Sequence, residues 1–387
     1  MVKFLIHRPV AVTMVFVVFI ISASCQFKQE MNDKQLGKII ISEDLINDET
    51  DYSNIINSIE LIPLETSENS IMSDIFKIEY RNDRFYLHDH NQVLYIFDSK
   101  GNFIAKLDKR GRGPKEYQEM RDFSVDDDGL ITILSYKAFL TYDSTLEFIG
   151  KRKFNITSRT GRDLNPIRFF QTKNHTFIYM GSFGLHLIEP GKESTIYCIN
   201  RNDEIISEFF PLTSVLTGHQ SFYRSGNATY YSHSYGNDTI YSVSENDIKP
   251  ALFVDFQNKR ITEKEMMGDR AVLFDKIWKN DYKGMILNPF ENETYISFSF
   301  TSGRNRKLAV QNKKSGEFKI INVGKTRPFP MIFPEGICNN SFYSHIQPLM
   351  FSMYNKDGIY DNILKKHNIS NIDISDNPII VKFNFNF

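Results

Sequence analysis

Two histidines, His88 and His90, flank Asp89 at the end of the alternating run RFYLHDH, and their chemistry suits them to bind a metal ion or a polar ligand. Side chains two apart on a strand share a face, so both imidazoles could approach one ion, with further His, Cys or carboxylate ligands completing the shell. No third ligand is identifiable from spacing, because His175, His186, His219, His233 and His345 stand singly. The reading therefore assigns no metal and no cofactor, and keeps His88 and His90 as candidate ligand-binding residues. A metal enzyme would have to gather several such groups, for instance His88, His90 and His233, around one point.

The second candidate is GRGPKEY, residues 111–117. As a phosphate loop it lacks the closing Gly-Lys-Ser/Thr and a following helix whose N-terminus would meet the anion. Beyond it come an alternating Phe123, Val125 run, the turn Asp126-Asp127-Asp128-Gly129, and a second run through residues 130–134. That is strand, turn, strand. Three adjacent aspartates point in different directions, whereas calcium loops alternate their ligands, so this turn reads as a hairpin. Arg112, Glu116 and Tyr117 carry two readings: a polar and aromatic ligand-binding rim, or a lock that fixes the loop onto a neighbouring element. No Gly-x-Ser-x-Gly elbow is present. A carboxylate pair for glycoside hydrolysis would come from distant segments and leaves no spacing to read.

The elements that must position these residues are strands. Phenylalanine and tyrosine are abundant, with 33 and 19 copies, and Asn, Asp, Ser and Gly punctuate short apolar runs, a composition that favours strands joined by turns. LYIFDSKGNFIAKL (94–107) reads as strand, turn, strand, and it recurs with drift at 140–154, 196–210, 240–256 and 308–323. Each copy comes after another β-rich pair, starting near Phe76, Arg121, Arg168, Ser221 and Asn288. Four strands per unit at intervals of several tens of residues is the signature of propeller blades. Residues 341–355 supply two strands of a sixth unit, residues 377–387 a third, and IINSIELIPLE from Ile55 the strand that closes the ring. The fold expected is all-β: a six-bladed β-propeller with four-stranded blades and the N- and C-terminal strands closing the ring. Residues 111–117 then form the crossover from the first blade to the second. One short helical insertion is expected at about 261–280, where Thr262 and Glu265 make a capping box before Phe274 and Trp278. It would serve as a lid or partner contact, or simply pack across a blade edge.

The N-terminus speaks to compartment. Lys3 and Arg8 precede an uncharged run, residues 9–21, then Ser22-Ala23-Ser24 and Cys25. That is a secretory signal peptide, too short an apolar run to span a bilayer comfortably. Ser22-Ala23-Ser24-Cys25 resembles a lipobox, with Ser22 where leucine is usual, which makes Cys25 the expected lipidation site and membrane anchor. The domains expected are a signal peptide (1–24), a tether and lead-in (25–50) and the propeller (51–387). With 46 basic and 47 acidic residues the chain has no electrostatic reason to bind nucleic acid. Cys198 and Cys338 could pair in an oxidising envelope or sit singly in separate strands. Asp143-Ser144-Thr145 and Asp238-Thr239-Ile240 resemble a short bacterial O-glycosylation sequon and are hints about compartment only.

These residues together carry a resemblance. IELIPLETSENSIMSDIFKIEYRNDRFYLHD, the crossover residues Gly111, Gly113, Pro114, Glu116 and Tyr117, and the ending DNPIIVKFNFNF look like the six-bladed β-propeller lipoproteins of Bacteroidota-type bacteria. The crossover is also similar to that of NHL-repeat propellers. The resemblance implies the fold and an outer-membrane lipoprotein facing periplasm or cell surface; it implies little about activity. Two functions stay open: an envelope-anchored scaffold that binds a protein or glycan, and an NHL-like lyase or carbohydrate-active hydrolase or lyase.

Overall fold

A computed structural model of the chain describes residues 37–47, 55–181, 191–212, 222–233, 236–261, 270–321, 333–356, 358, 360–367, 369 and 372–387. The signal peptide, Cys25, the capping pair Thr262 and Glu265, and His186 and His219 lie outside these residues. Lys38–Phe387 forms one compact unit.

Strand β1 (Gly37–Ile40), helix α1 (Glu43–Asn47) and strand β2 (Ile56–Pro63) come first. Blade 1 is β3 (Ile75–Arg81), β4 (Arg84–Asp89), β5 (Leu94–Asp98) and β6 (Phe103–Leu107), and blade 2 is β7 (Asp122–Val125), β8 (Ile131–Ser135), β9 (Ala138–Tyr142) and β10 (Phe148–Lys153). Blade 3 is β11 (Arg168–Gln171), β12 (His175–Tyr179), β13 (Ser194–Asn200) and β14 (Ile205–Pro211). Blade 4 is β15 (Phe222–Ser225), β16 (Ala228–Ser232), β17 (Thr239–Val243) and β18 (Ile248–Asp255). Helix α2 (Arg270–Lys279) precedes blade 5, which is β19 (Lys283–Glu291), β20 (Tyr295–Ser302), β21 (Asn305–Asn312) and β22 (Phe318–Ile321). Blade 6 takes β23 (Gly336–Cys338), β24 (Ser341–Ile346) and, after helices α3 (Pro348–Tyr354) and α4 (Asp361–Lys366), β25 (Ile379–Phe385). Its outer strand is β2, paired antiparallel with β25 from Ile56↔Phe385 to Pro63↔Ile379. The expected six four-stranded blades and the closure by both ends are what the structure shows, and closure removes the free edges of an open array.

The middle strands are buried on both faces because each blade is sandwiched between two others, so β8 and β13 read as continuous apolar runs rather than alternating ones. Large aromatics fill the wedge between blades, as where Phe139 packs on Phe154 and Phe169. Cys198 and Cys338 are both free and buried, in blades 3 and 6.

Two expectations are corrected. Residues 37–47 fall within the expected tether but belong to the fold: β1 adds a fifth strand to blade 4, and Ile39, Ile41 and Ile46 are buried among residues of blades 4 and 5. Lys283, only 1% exposed, meets Glu43 at 2.6 Å, which fastens α1. Residues 341–355 give one strand and a helix rather than two strands, because Pro348 sits at the first helical turn, where its missing N–H costs nothing. The inner strand of blade 6 is only three residues long, too short to carry a period. The helical insertion is present as α2, with Leu273 and Ile277 buried beside Ile261. No helix among the described residues is long and apolar enough to cross a membrane.

Candidate functional site

The inner strands converge on the axis and close it. Lys77 of blade 1 reaches Asp122 of blade 2 at 2.8 Å and Glu79 at 2.9 Å, while Asp122 also accepts the Phe169 amide of blade 3 at 3.0 Å. Toward one end, Arg224 of blade 4 donates to Val125 O at 2.9 Å and meets Asp127 at 2.8 Å. The space left along the axis is about 60 Å³, room for a water or two. Asp126 is an ordinary turn residue, its Oδ1 accepting the amides of Asp128 (3.0 Å) and Leu130 (2.8 Å).

A larger cavity, about 640 Å³, opens on the face where the crossovers run, between blades 1, 2 and 3. Its lining comes from the end of β4 and the turn after it (His88, Asp89, His90, Gln92), the start of β3 (Phe76), the tail of the first crossover (Glu119, Met120, Arg121), and the second crossover with the start of β11 (Arg162, Asn165, Ile167, Arg168). Met180 completes it. A mostly apolar hollow of this size with a few convergent polar groups is the usual form of a small-ligand site. Arg121 is held by Glu119 at 2.6 Å, Asn165 at 2.5 Å and Pro166 O at 3.0 Å. The Arg168 guanidinium lies 4.6 Å over the Phe76 ring. Phe76 also meets the rings of His88 and His90 edge-on, at 5.3 and 5.6 Å. Asp89 is occupied as a turn cap, bonded by the Ser73 hydroxyl (2.9 Å) and the Val93 amide (3.0 Å).

Of the expected site residues, His88 and His90 lie in this cavity and the crossover trio does not line it. Tyr117 is fully buried; its hydroxyl donates to Gln92 O and Leu107 O, both at 3.0 Å, and ties the crossover to blade 1. Glu116 accepts the Gly113 amide at 2.7 Å, and a Cβ at Gly111 would overlap its carboxylate, which is why glycine stands there. The Glu116 carbonyl takes Lys151 of blade 2 at 3.0 Å. Arg112 is exposed on the same loop. Glu116 and Tyr117 thus hold the crossover in place, and the part of it that lines the cavity begins two residues later, at Glu119.

The histidines do not converge. His233 stacks on Phe210 at 4.8 Å and bonds Tyr231 at 2.6 Å, inside an aromatic cluster of blades 3 and 4, away from His88 and its neighbours Phe76 and Phe123. His233 does not join His88 and His90, and among the described residues no three His, Cys, Asp or Glu are placed to hold a metal ion.

Burial pushes His88 down to about 3, with the charges of Lys77 and Arg168 acting the same way, and pushes His233 down to about 4. Burial also pushes Asp238 up to about 7, against the pull of Arg260. Between about pH 5 and 5.5, well below the ordinary histidine value, the unfolded chain therefore holds two more histidine protons, the folded chain one more aspartate proton, and unfolding takes up a net one. His345, raised beside Glu335 in spite of its burial, is protonated in both states there and drops out. Stability is expected to fall by about 1.4 kcal/mol per pH unit as pH drops through that window. Urea midpoints at stepped pH would show it, and a His233→Gln chain should lose most of the slope; an unchanged slope would reject the assignment.

Sequence reasoning missed Arg121 and Arg168. The signal available was that RDFSV and RFFQT both open on arginine, although Arg168 starts β11 while Arg121 stands just before β7.

A family model described as a domain of unknown function (DUF4934) matches residues 37–384. Among solved structures, the chain is similar to a Bacteroides fragilis NCTC 9343 protein (BF0058) described as exported, at 17% identity and a TM-score of 0.69, covering 90% of this chain and 99% of that one. It is more distantly similar to the extracellular domain of a hybrid two-component system of B. thetaiotaomicron (BT4673), at 13% identity and 0.38, covering 75% of this chain and 36% of that one. BamB of Moraxella catarrhalis stands at 10% and 0.31, covering 80% and 71%. No curated protein matches the chain in sequence. At these identities the likeness is one of fold.

Proposed function

The chain belongs to the DUF4934 family, and from that premise we propose that it is an envelope-anchored binding propeller, lipidated at Cys25, that takes a protein or glycan ligand on the crossover face. The observation that carries the binding reading is the cavity of about 640 Å³ between blades 1, 2 and 3, built from two crossovers and two inner strands on a rigid ring. Rigid elements that present convergent side chains are what a binder needs. The anchor rests on the charged, apolar and small-residue order of the first 25 residues. A similar protein described as exported agrees with it. The crossover lock made by Glu116 and Tyr117 is the part that an NHL-type propeller would share.

Two measurements test this. Labelled fatty acid should enter the full chain and not a Cys25→Ala chain, which should leave the membrane fraction. The chain from Gln26 onward, probed on peptide and glycan arrays, should capture a ligand that a His90→Trp substitution at the exposed cavity rim abolishes. Capture indifferent to His90→Trp would move the site elsewhere on the ring, and capture of nothing would count against binding as the function.

A further inference from the structure

We infer that the group this cavity receives is a carboxylate carried on an apolar body, with Arg168 as its counter-charge; the inference rests on the binding reading above. Arg168 is 9% exposed, yet among the described residues it faces no carboxylate. One nitrogen, Nη1, donates to Arg121 O at 2.8 Å and Ile167 O at 2.7 Å, and among the described residues Nε and Nη2 make no hydrogen bond. Arg121 beside it is a contrast, since Glu119 already neutralises it at 2.6 Å. A guanidinium does not shed its proton, and the unbonded edge of this one opens onto the cavity, where an anion would meet it. Its free edge matches the two oxygens of a carboxylate.

A second, separate observation lies in the same lining. His88 is 2% exposed and neither of its ring nitrogens has a hydrogen-bond partner, although buried polar groups are nearly always bonded. As a neutral ring it offers one donor and one acceptor. Phe76 meets this ring edge-on, so a ligand that shifts Phe76 would satisfy a group the empty protein leaves unmet. The charge balance favours a single negative charge: the lining carries three arginines, Arg121, Arg162 and Arg168, against two carboxylates, Asp89 and Glu119, which leaves one positive charge over. The remaining lining, Phe76, Met120, Ile167 and Met180, suits a hydrocarbon body better than a ring of hydroxyls. A peptide ending in an apolar residue has this chemistry, and an acidic sugar shares only the carboxylate.

Ligand-detected NMR and calorimetry on the chain from Gln26 onward would decide, with N-acetyl-leucine, N-acetyl-leucinamide and methyl glucuronoside as probes. The expected result is that N-acetyl-leucine binds, that its amide binds at least tenfold more weakly, that added salt weakens the acid alone, and that the glucuronoside is weaker than the acid. Arg168→Gln should lose at least tenfold in affinity and Arg168→Lys should regain part of it. Equal binding of acid and amide overturns the carboxylate, and so does no binding by either acid. Stronger binding of the glucuronoside overturns the apolar body. The acid–amide comparison uses the unaltered chain, so it stands even if an Arg168 variant fails to fold. A ligand found on the arrays that His90→Trp abolishes and Arg168→Gln leaves untouched would keep the binding cavity and reject this inference.

Discussion

A chain that begins at residue 64 is expected not to fold: it keeps the four main strands of five blades and three of the sixth, but loses β1 and α1 from the side of blade 4 together with the closing strand. It lacks β2, whose seven paired positions run from Ile56 to Pro63 along β25. Ile55, Leu61 and Ile62, each 5% exposed or less, leave the core with it. Burying such a side chain contributes roughly 1.5–3 kcal/mol, so the three together approach about 4–9 kcal/mol. The paired backbone bonds add about 1 kcal/mol each. That sum meets or exceeds the roughly 5–15 kcal/mol by which a typical domain is stable. The loss is not confined to blade 6, because the Pro63 carbonyl at the end of β2 lies so close to Gly101 of blade 1 that a Cβ there would overlap it. The closing strand therefore seats two blades. Circular dichroism and protease resistance of the truncated chain, with and without a synthetic peptide of residues 37–66, would check it. Recovery in trans is the expected result, and a truncated chain that is protease-resistant alone would show that closure is dispensable.

The same strand shows what the sequence makes legible. IINSIELIPLE alternates and is bounded by polar turns, and the five copies of strand, turn, strand sit almost where the structure has the third and fourth strands of each blade. Such patterns are local, and local physics suffices to find them. The site was only half legible. His88 and His90 could be picked out as unusual residues on one strand face. Arg121, Asn165 and Arg168 became a site only because consecutive crossovers bring them together across 44 positions and more, a long-range fact that no window contains. Tyr117 is a different case. Its hydroxyl and ring allowed both a rim and a lock, and what separates the two is that Gln92 O and Leu107 O lie within bonding reach of its hydroxyl. Residues 37–47 were lost to the same cause, since GKIII is too short to read as an edge strand until Asp255 and Lys283 are seen beside it.

Lys77→Met is expected to cost about 3–5 kcal/mol, the usual penalty for removing one partner of a buried ion pair. Burial alone would lower the lysine's proton affinity, but Asp122 and Glu79 more than offset it and the pKa is raised. A raised lysine contributes stability that is fully present below its unfolded value, about 10.4, and is lost only as pH climbs through the folded one, so the pair acts at full strength at neutral pH. Removing it leaves Asp122, 1% exposed, charged between blades, with its Oδ1 on the Phe123 amide at 2.9 Å and its Oδ2 on the Phe169 amide at 3.0 Å. Asparagine would relieve the stranded charge and keep one of those two bonds, but its Nδ2 would turn an N–H toward the other amide. Asp122→Asn in the Lys77→Met background should therefore restore only part of the loss, while Asp122→Asn alone should destabilise by stranding the lysine with Glu79 only. Urea unfolding of the four chains gives the coupling directly. A coupling near zero would mean that Lys77 holds the ring through its bond to Phe123 O and its contact with the Phe123 face, at 2.5 and 4.8 Å, and that the three blades are joined at the axis by backbone and packing rather than by charge.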